Sequence, residues 1–170
     1  MPALLHKLPM PPAQLRGSPV PVPGQAIPLE KVNPDGTLNP EVTSPAGCRF
    51  QPSPTGGTRG TIQNAYLSTS NRGSVKVKSY IVCNRPVQAL SNETGLYKWG
   101  VFGLVAELQA STVSYSTGQS VRSNTGTFRH CTSTASSTFF GDSYGVSEEN
   151  GQLYEGYGVS PGNATLHCGT

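Results

Sequence analysis

The chain has 170 residues, of which 20 are Gly and 15 are Pro, so about a fifth of its positions break regular structure and a helical bundle is excluded. Hydrophobic residues make up 35% and charged residues 12% of the chain, whereas an ordinary soluble domain has roughly 45–50% and 25%. The net charge of +3 is too small to indicate a nucleic-acid or membrane-surface partner, and no apolar run approaches the roughly 18 residues of a membrane-spanning helix.

Proline is concentrated in the first third of the chain. Thirteen of the 15 prolines lie at or before Pro54, whereas the first aromatic residue is Phe50. Proline holds φ near −65° and removes an amide donor, and the apolar residues here have neither helical nor strand period. The sequence therefore predicts an extended, proline-rich arm over residues 1–50 and a folded domain over residues 51–170.

The arm has two interpretations. Its composition alone is typical of a linker or an unstructured leader. A pure spacer would consist of Gly, Ser and Glu, however, whereas this segment carries apolar side chains suited to insertion into the groove of a partner protein. The candidate partner-binding residues are Leu4, Leu5, Leu8, Met10, Leu15, Val20, Val22, Ile27 and Leu29.

The domain is predicted to consist of strands and turns. Residues 75–83 alternate with period 2, as a half-buried strand does, and Asn150-Gly151 favours a type I′ turn in a hairpin of residues 144–147 and 153–159. Further strands are predicted over residues 61–68, 96–109 with a break at Gly100 or Gly103, 112–117, 127–133 and 164–168. Seven or eight short strands favour an all-β fold, an antiparallel β-sandwich, with a small open barrel as the alternative.

Four cysteines indicate the compartment. An even number in a small strand-rich domain favours disulfides, and hence a secreted protein, over free thiols. Three connectivities are open for Cys48, Cys83, Cys131 and Cys168. The pairing Cys48–Cys83 and Cys131–Cys168 is preferred because it closes two loops of similar length, each worth about 3–4 kcal/mol in the chain-entropy description.

The two His-Cys dipeptides do not predict a metal site. Adjacent residues of a strand point to opposite faces, so one ion cannot readily take both members of His130-Cys131 or of His167-Cys168, and no CxxC or HxxxH spacing accompanies them. The cysteines are expected to face inward and the histidines to face solvent. No metal and no cofactor is predicted.

No catalytic motif is present either. The chain lacks a Gly-x-Ser-x-Gly elbow, and a Ser–His–Asp set drawn from His130 or His167 with Asp142 would use only common residue types. Glu148 and Glu149 lie beside the Asn-Gly turn and are interpreted as a solvated loop rather than as a glycosidase pair. The sequence therefore predicts a protein that is not an enzyme.

Charge is unevenly distributed along the domain. Residues 49–129 carry a net charge of +7 and residues 130–170 a net charge of −4, which indicates two faces or ends of opposite sign. This polarity favours oriented association with a protein partner over nucleic-acid binding. Tyr97 and Trp99 could form a sugar-stacking platform, although a lone Trp in a β-domain is usually a core residue.

Several of these features together resemble a known group of proteins. The run from Val75 to Val87, the triplet Leu96-Tyr97-Lys98, the mid-strand Cys131 and a last strand that ends in Cys168 are similar to the small secreted disulfide β-domains of actinobacteria. Some of these are the adaptor subunit of umbrella toxin particles. There the extended N-terminal segment threads into a lectin-like subunit and the β-domain contacts a large scaffold subunit.

The resemblance implies a non-enzymatic adaptor that joins protein subunits of a secreted assembly, an antibacterial toxin particle, through its N-terminal arm. Residues 1–10 lack the basic and apolar regions of a signal peptide, which leaves open processing before this point or a protein that is not secreted. The alternatives are a virion structural protein, as in a phage capsid decoration or tail component, and a carbohydrate-binding module.

Overall fold

The structure, a computed structural model, describes residues 26–51, 62–68, 73–100, 103 and 105–170. Over these residues the chain is all-β, with no α-helix and so none long and apolar enough to cross a membrane. The described strands are β1 Ile27–Pro28, β2 Glu30–Val32, β3 Leu38–Thr43, β4 Arg49–Phe50, β5 Tyr66–Leu67, β6 Ser74–Val82, β7 Ala89–Trp99, β8 Ala106–Thr117, β9 Val121–His130, β10 Ser133–Glu149, β11 Gln152–Val159 and β12 Ala164–Gly169.

Two antiparallel sheets form a sandwich. The smaller sheet has the order β1-β4-β6-β5, with β9 also paired to β6, and the larger sheet has the order β3-β2-β11-β10-β7-β8, with β12 also paired to β10. The predicted antiparallel β-sandwich is confirmed. The strands are more numerous and several are longer than predicted, since twelve are described and β10 alone has 17 residues.

Local sequence signals placed some strands correctly. In β6, Val75, Val77 and Ile81 are buried in the core, as the alternation predicted. The hairpin of β10 and β11 turns at Asn150 and Gly151, whose φ angles of 51° and 76° are those of a type I′ turn. Of the strand predicted over residues 61–68, the structure describes only the two residues of β5 and an isolated bridge at Ile62. The strands predicted over residues 96–109 and 112–117 correspond to β7, which ends at Trp99, and β8, which begins at Ala106.

The boundary of the predicted arm requires correction. Leu29 is fully buried in the largest apolar cluster of the described core, Ile27 packs against the same cluster, and β2 pairs with β11. The described residues 26–51 therefore belong to the folded body rather than to an extended arm. The remaining candidate arm residues lie outside the described residues; they are Leu4, Leu5, Leu8, Met10, Leu15, Val20 and Val22.

Glycines explain how a chain with few large apolar residues builds this core. A Cβ placed at Gly145 of β10 would lie 2.6 Å from the Phe50 ring, and one at Gly156 of β11 would lie 2.6 Å from Leu29 Cδ2. The side chain of Phe50 from the smaller sheet and that of Leu29, between β1 and β2, thus rest directly on the backbone of the larger sheet. At these glycines the two layers approach closely, without the interdigitation of side chains from both layers that is usual in a β-sandwich.

The two disulfides have the pairing that the sequence analysis preferred, and they join different parts of the sandwich. Cys48–Cys83 joins the residues beside β4 and β6 within the smaller sheet, with a Cα–Cα distance of 4.0 Å. Cys131–Cys168 joins the end of β9 in the smaller sheet to β12 in the larger sheet, with a Cα–Cα distance of 4.9 Å. One disulfide therefore fastens two strands of a layer, and the other fastens the two layers to each other.

Part of the space between the sheets is polar. The Asn92 side chain accepts a hydrogen bond from Ser79 Oγ at 2.8 Å and donates to the Arg122 carbonyl at 3.1 Å. Asn124 Nδ2 donates to the carbonyls of Asn92 at 2.9 Å and Thr112 at 2.8 Å. Because buried amides are costly unless they are hydrogen-bonded, this network fixes the position of β9 over β7 and β8.

Candidate functional site

The side chains of the larger sheet that face away from the smaller sheet form rows across three or four neighbouring strands. Successive residues of a strand point to opposite faces, so the cross-strand register shows which side chains share this surface, which we call the outer face. The first row is Val113, Glu93, Tyr144 and Tyr157, the second is Ser111, Gly95, Asp142 and Val159, and the third is Leu108, Tyr97 and Phe140.

Carboxyl and tyrosine side chains are concentrated at the centre of the outer face. Asp142 is 2% exposed and lies across Gly95, where a Cβ would be only 2.4 Å from Asp142 Oδ1. Glu93 is 6% exposed, and Glu155, also buried, accepts a hydrogen bond from the Tyr144 hydroxyl. We call Glu93, Asp142, Glu155 and the tyrosines that surround them the carboxyl cluster.

Burial sets the protonation of this cluster. It raises the pKa of Glu93 to about 7. It also raises the pKa of Asp142 to about 7, helped by the charge of Glu93 and opposed by the nearby Tyr157 hydroxyl, the Gly95 N–H and the Tyr97 hydroxyl. Both carboxyls therefore exchange protons near neutral pH. Because they are almost fully covered, they are placed to change the stability of the outer face with pH rather than to contact a substrate.

The residues considered for catalysis or metal binding are held elsewhere. His130 Nδ1 lies 2.8 Å from Ser74 Oγ and His167 Nδ1 lies 3.3 Å from Ser136 Oγ, whereas Asp142 faces Glu93 and tyrosines. The Ser–His–Asp arrangement is therefore not assembled. Among the described residues, no group of three or more His, Cys, Asp or Glu side chains is arranged to hold a metal ion.

The interpretation of Glu148 and Glu149 as a solvated loop is wrong for Glu149. It is buried, and its carboxylate accepts hydrogen bonds from Ser44 Oγ at 2.6 Å, the Ala46 N–H at 2.8 Å and Ser147 Oγ at 2.9 Å. Charge-assisted hydrogen bonds of this kind are the strong ones. Glu149 thus holds the segment that leads into Cys48, and its role is structural.

Three aromatic side chains form a row that leads from the carboxyl cluster to a cleft. They are Tyr97, Phe140 and Trp99, and we call this row the aromatic ladder. Tyr97 stacks on Phe140 with ring centroids 5.1 Å apart, and Trp99 packs on Phe140 at 5.0 Å. Trp99 is half-buried and Nε1 donates to Asn163 Oδ1 at 2.9 Å. Trp99 also borders a cleft of about 750 Å³, so it packs partly buried against the apolar cluster of Tyr97, Ala106 and Phe140 and lines the cleft as well.

Apolar side chains are exposed along the edge of the same face. Leu108 is 49% exposed and Val113 is 44% exposed on β8, and the half-buried Tyr115 lies on the same side of the strand. We call these three residues the β8 patch. Exposed apolar side chains that share one side of a strand are candidates for an interaction surface.

Two lysines of β6, Lys76 and Lys78, lie on the side of the smaller sheet that faces away from the larger sheet. Lys76 and Lys78 alternate with the buried Val75 and Val77, and Lys78 Nζ lies 5.6 Å from the centre of the Tyr66 ring. Burial and the neighbouring Lys78 lower the pKa of Lys76.

Sequence reasoning missed the carboxyl cluster because Glu93, Asp142 and Glu155 are far apart in the chain and meet only through strand register. It named Tyr97 and Trp99, which line one end of the outer face, and it placed Ile27 and Leu29 in an arm although they lie in the body. The alternation of Glu93 with Gly95 and Tyr97 was the available signal.

No protein-family model, no curated protein and no solved structure matches the chain.

Proposed function

We propose that the protein is a non-enzymatic adaptor that joins protein subunits of a secreted assembly. An adaptor has to contact two partners and so needs two separate contact surfaces. The observation that carries the proposal is the β8 patch, because it gives the folded body a contact surface of its own. Residues 1–25, with their prolines and apolar side chains, are the second surface in this proposal.

The energetics support a contact at the β8 patch. Fully burying an exposed Leu or Val side chain contributes about 1.5–3 kcal/mol. Leu108 and Val113 are 49% and 44% exposed, so a partner that covers both gains about half of this for each. From β9, Arg122 and Asn124 donate hydrogen bonds to the Ser114 hydroxyl and the Thr112 carbonyl of β8. The side chains of the patch, rather than the strand backbone, are therefore proposed to form the contact.

Two disulfides support the secreted setting, since such bonds persist in oxidising environments and are rare in a reducing cytosol. The more specific version of the proposal, an actinobacterial toxin particle, rests on the sequence resemblance. The proposed arm now comprises only Leu4, Leu5, Leu8, Met10, Leu15, Val20 and Val22, because Ile27 and Leu29 are used within the body.

The test is isolation of the native assembly under non-reducing conditions, followed by mass spectrometry of its subunits and reconstitution with variants. Deletion of residues 1–25 is expected to release one partner and Leu108→Ser with Val113→Ser the other. Leu67→Ser is the matched control, because Leu67 is also 44% exposed but lies on the smaller sheet. Retention of both partners by both variants would refute the proposal, and recovery in phage particles would replace it with a virion structural role.

A further inference from the structure

Four connections between strands meet at one end of the sandwich, which we call the tip. They are residues 44–48, 83–88, 118–120 and 150–151. Hydrogen bonds join them, since the Asn84 N–H donates to the Ala46 carbonyl at 2.7 Å and the Val87 N–H donates to the Gln119 carbonyl at 3.1 Å. Loops that a rigid framework holds in place are a frequent location of binding residues.

Further bonds fix the loops of the tip to one another. The Cys48–Cys83 disulfide joins two of them covalently, and the Gly151 N–H donates to Gln88 Oε1 at 2.8 Å, which joins a third. A partner that binds at the tip therefore meets loops that are already ordered, and this lowers the entropic cost of binding.

A pocket of about 190 Å³ opens at the tip. Sites for small molecules have roughly 300–1,000 Å³, so this pocket is small for such a ligand and suits one side chain inserted from a partner protein. Its described lining consists of Arg85, Pro86, Val87, Gln88, Glu149 and Asn150.

Two acceptor side chains of the pocket are already engaged within the protein. Glu149 Oε1 accepts from the Ala46 N–H at 2.8 Å and Oε2 accepts from Ser44 Oγ at 2.6 Å. Gln88 Oε1 accepts from the Gly151 N–H. Because an N–H requires an oxygen acceptor here, this bond also identifies the remaining atom of the Gln88 amide as the donor Nε2.

Two donors of the pocket are free instead. Within the part of the chain that the structure describes, no hydrogen bond or ion pair engages the Arg85 guanidinium or Gln88 Nε2. Arg85 is exposed, and it is the only charged residue in the four connections of the tip. A guanidinium presents a fork of donors that matches a carboxylate in a bidentate pair.

The charge at the tip selects among anions. Glu149 lies in the same lining, and its negative charge repels a doubly charged phosphate more than a singly charged carboxylate. We propose that the tip docks a protein partner whose Asp or Glu side chain enters this pocket and pairs with Arg85 and Gln88. This contact is separate from the β8 patch and does not depend on the adaptor role.

The test uses NMR of the isotopically labelled full chain and defined probes. N-acetylglutamic acid N-methylamide supplies the carboxylate, N-acetylglutamine N-methylamide is its neutral match, and inorganic phosphate is the alternative anion. The carboxylate probe is expected to shift the Arg85 Nε–H and Gln88 side-chain amide signals saturably. The proposal is overturned if it does not, if the glutamine probe produces the same shifts, or if phosphate binds more tightly.

Variants assign the binding of the carboxylate probe to the pocket. Arg85→Gln is expected to lower its affinity at least about fivefold, and Arg85→Lys less, since lysine keeps the charge but loses the fork. Gln88→Glu keeps an oxygen for the Gly151 N–H but replaces the donor with a repelling carboxylate, so its expected loss is about tenfold.

Arg129→Gln is the matched control, because Arg129 is an exposed arginine of β9 outside the tip. It should bind the probe as the wild-type protein does. Unchanged affinity in Arg85→Gln and Gln88→Glu would refute the site, and an equal loss in Arg129→Gln would show that the probe responds only to overall charge.

Discussion

The Asp142 carboxylate of β10 lies on the backbone of β7 at Gly95, in the one position of that row where the neighbouring strand has no side chain. A Cβ at Gly95 would be 2.4 Å from Asp142 Oδ1 and 2.9 Å from the Tyr97 ring. The glycine therefore makes room for the carboxyl and sets the height of the tyrosine above the sheet. The arrangement of the carboxyl cluster depends on this contact.

Gly95→Ala is expected to destabilise the fold by about 1–3 kcal/mol, the usual cost of forcing atoms into a well-packed site. Gly126→Ala is the control, because Gly126 is also a strand glycine but has no atom within 4 Å of an added Cβ. Chemical denaturation measures both variants. Equal stability of the two would show that the outer face does not require an empty position at Gly95.

The carboxyl cluster predicts that stability falls as the pH rises. Burial raises the pKa of Glu93 from 4.5 to about 7 and that of Asp142 from 3.8 to about 7, so the folded state binds more protons than the unfolded state between these values. Stability is then greatest below the unfolded pKa and is lost as the pH rises through about 7. The two groups interact, so the apparent values belong to the pair.

Thermal unfolding of the full chain between pH 5 and pH 8 tests this sign. The midpoint of the wild-type protein is expected to fall over this range, and Asp142→Asn should reduce the slope because the amide does not ionise. Glu41→Gln, an exposed residue of β3, should leave the slope unchanged. A midpoint that rises with pH, or an equal slope in Asp142→Asn, would contradict the assignment.

The fold was predictable where residues next to each other in the chain determine the structure. The alternation of β6 and the Asn150-Gly151 turn are of this kind. Only residues 144–147 of β10 were predicted as a strand. The rest was missed because its inward positions include Gly141 and Ser143, and the apolar groups that cover this strand come from the other sheet, such as Phe50 on Gly145. A strand whose core contacts are made by its backbone has no apolar alternation to detect.

The candidate site was predictable only in part for a similar reason. Trp99 stands out by its chemistry in a chain with a single Trp, but its partner Asn163 lies on a distant segment and gives no sequence signal. Leu29 lies in a proline-rich stretch without period, and its burial depends on the absence of a side chain at Gly156. Long-range register and glycine positions therefore carry the information that local patterns lack.

The disulfides predict two different failures. Removal of either one as a Cys→Ala pair is expected to cost about 3–4 kcal/mol, because the residues that each bond joins are 35 and 37 positions apart. Loss of Cys131–Cys168 should in addition speed hydrogen exchange in β12, since that bond ties β12 to the opposite layer. Loss of Cys48–Cys83 should leave exchange in β12 largely unchanged. Identical exchange patterns in the two variants would contradict the interlayer role.

Leu29 tests where the folded body begins. If residues 26–51 are part of the core, Leu29→Ala should destabilise the protein by about 2–5 kcal/mol, because a fully buried leucine leaves a cavity when it is truncated. Leu38→Ala is the matched control, since Leu38 is 38% exposed on the edge strand β3 and should change stability by no more than about 0.5 kcal/mol. Urea unfolding of the full chain measures both. A negligible effect of Leu29→Ala would indicate that this segment belongs to the arm. With the expected loss of stability, a truncation past residue 25 would remove part of the core as well as the arm, and it would not isolate the proposed contact between the arm and a partner.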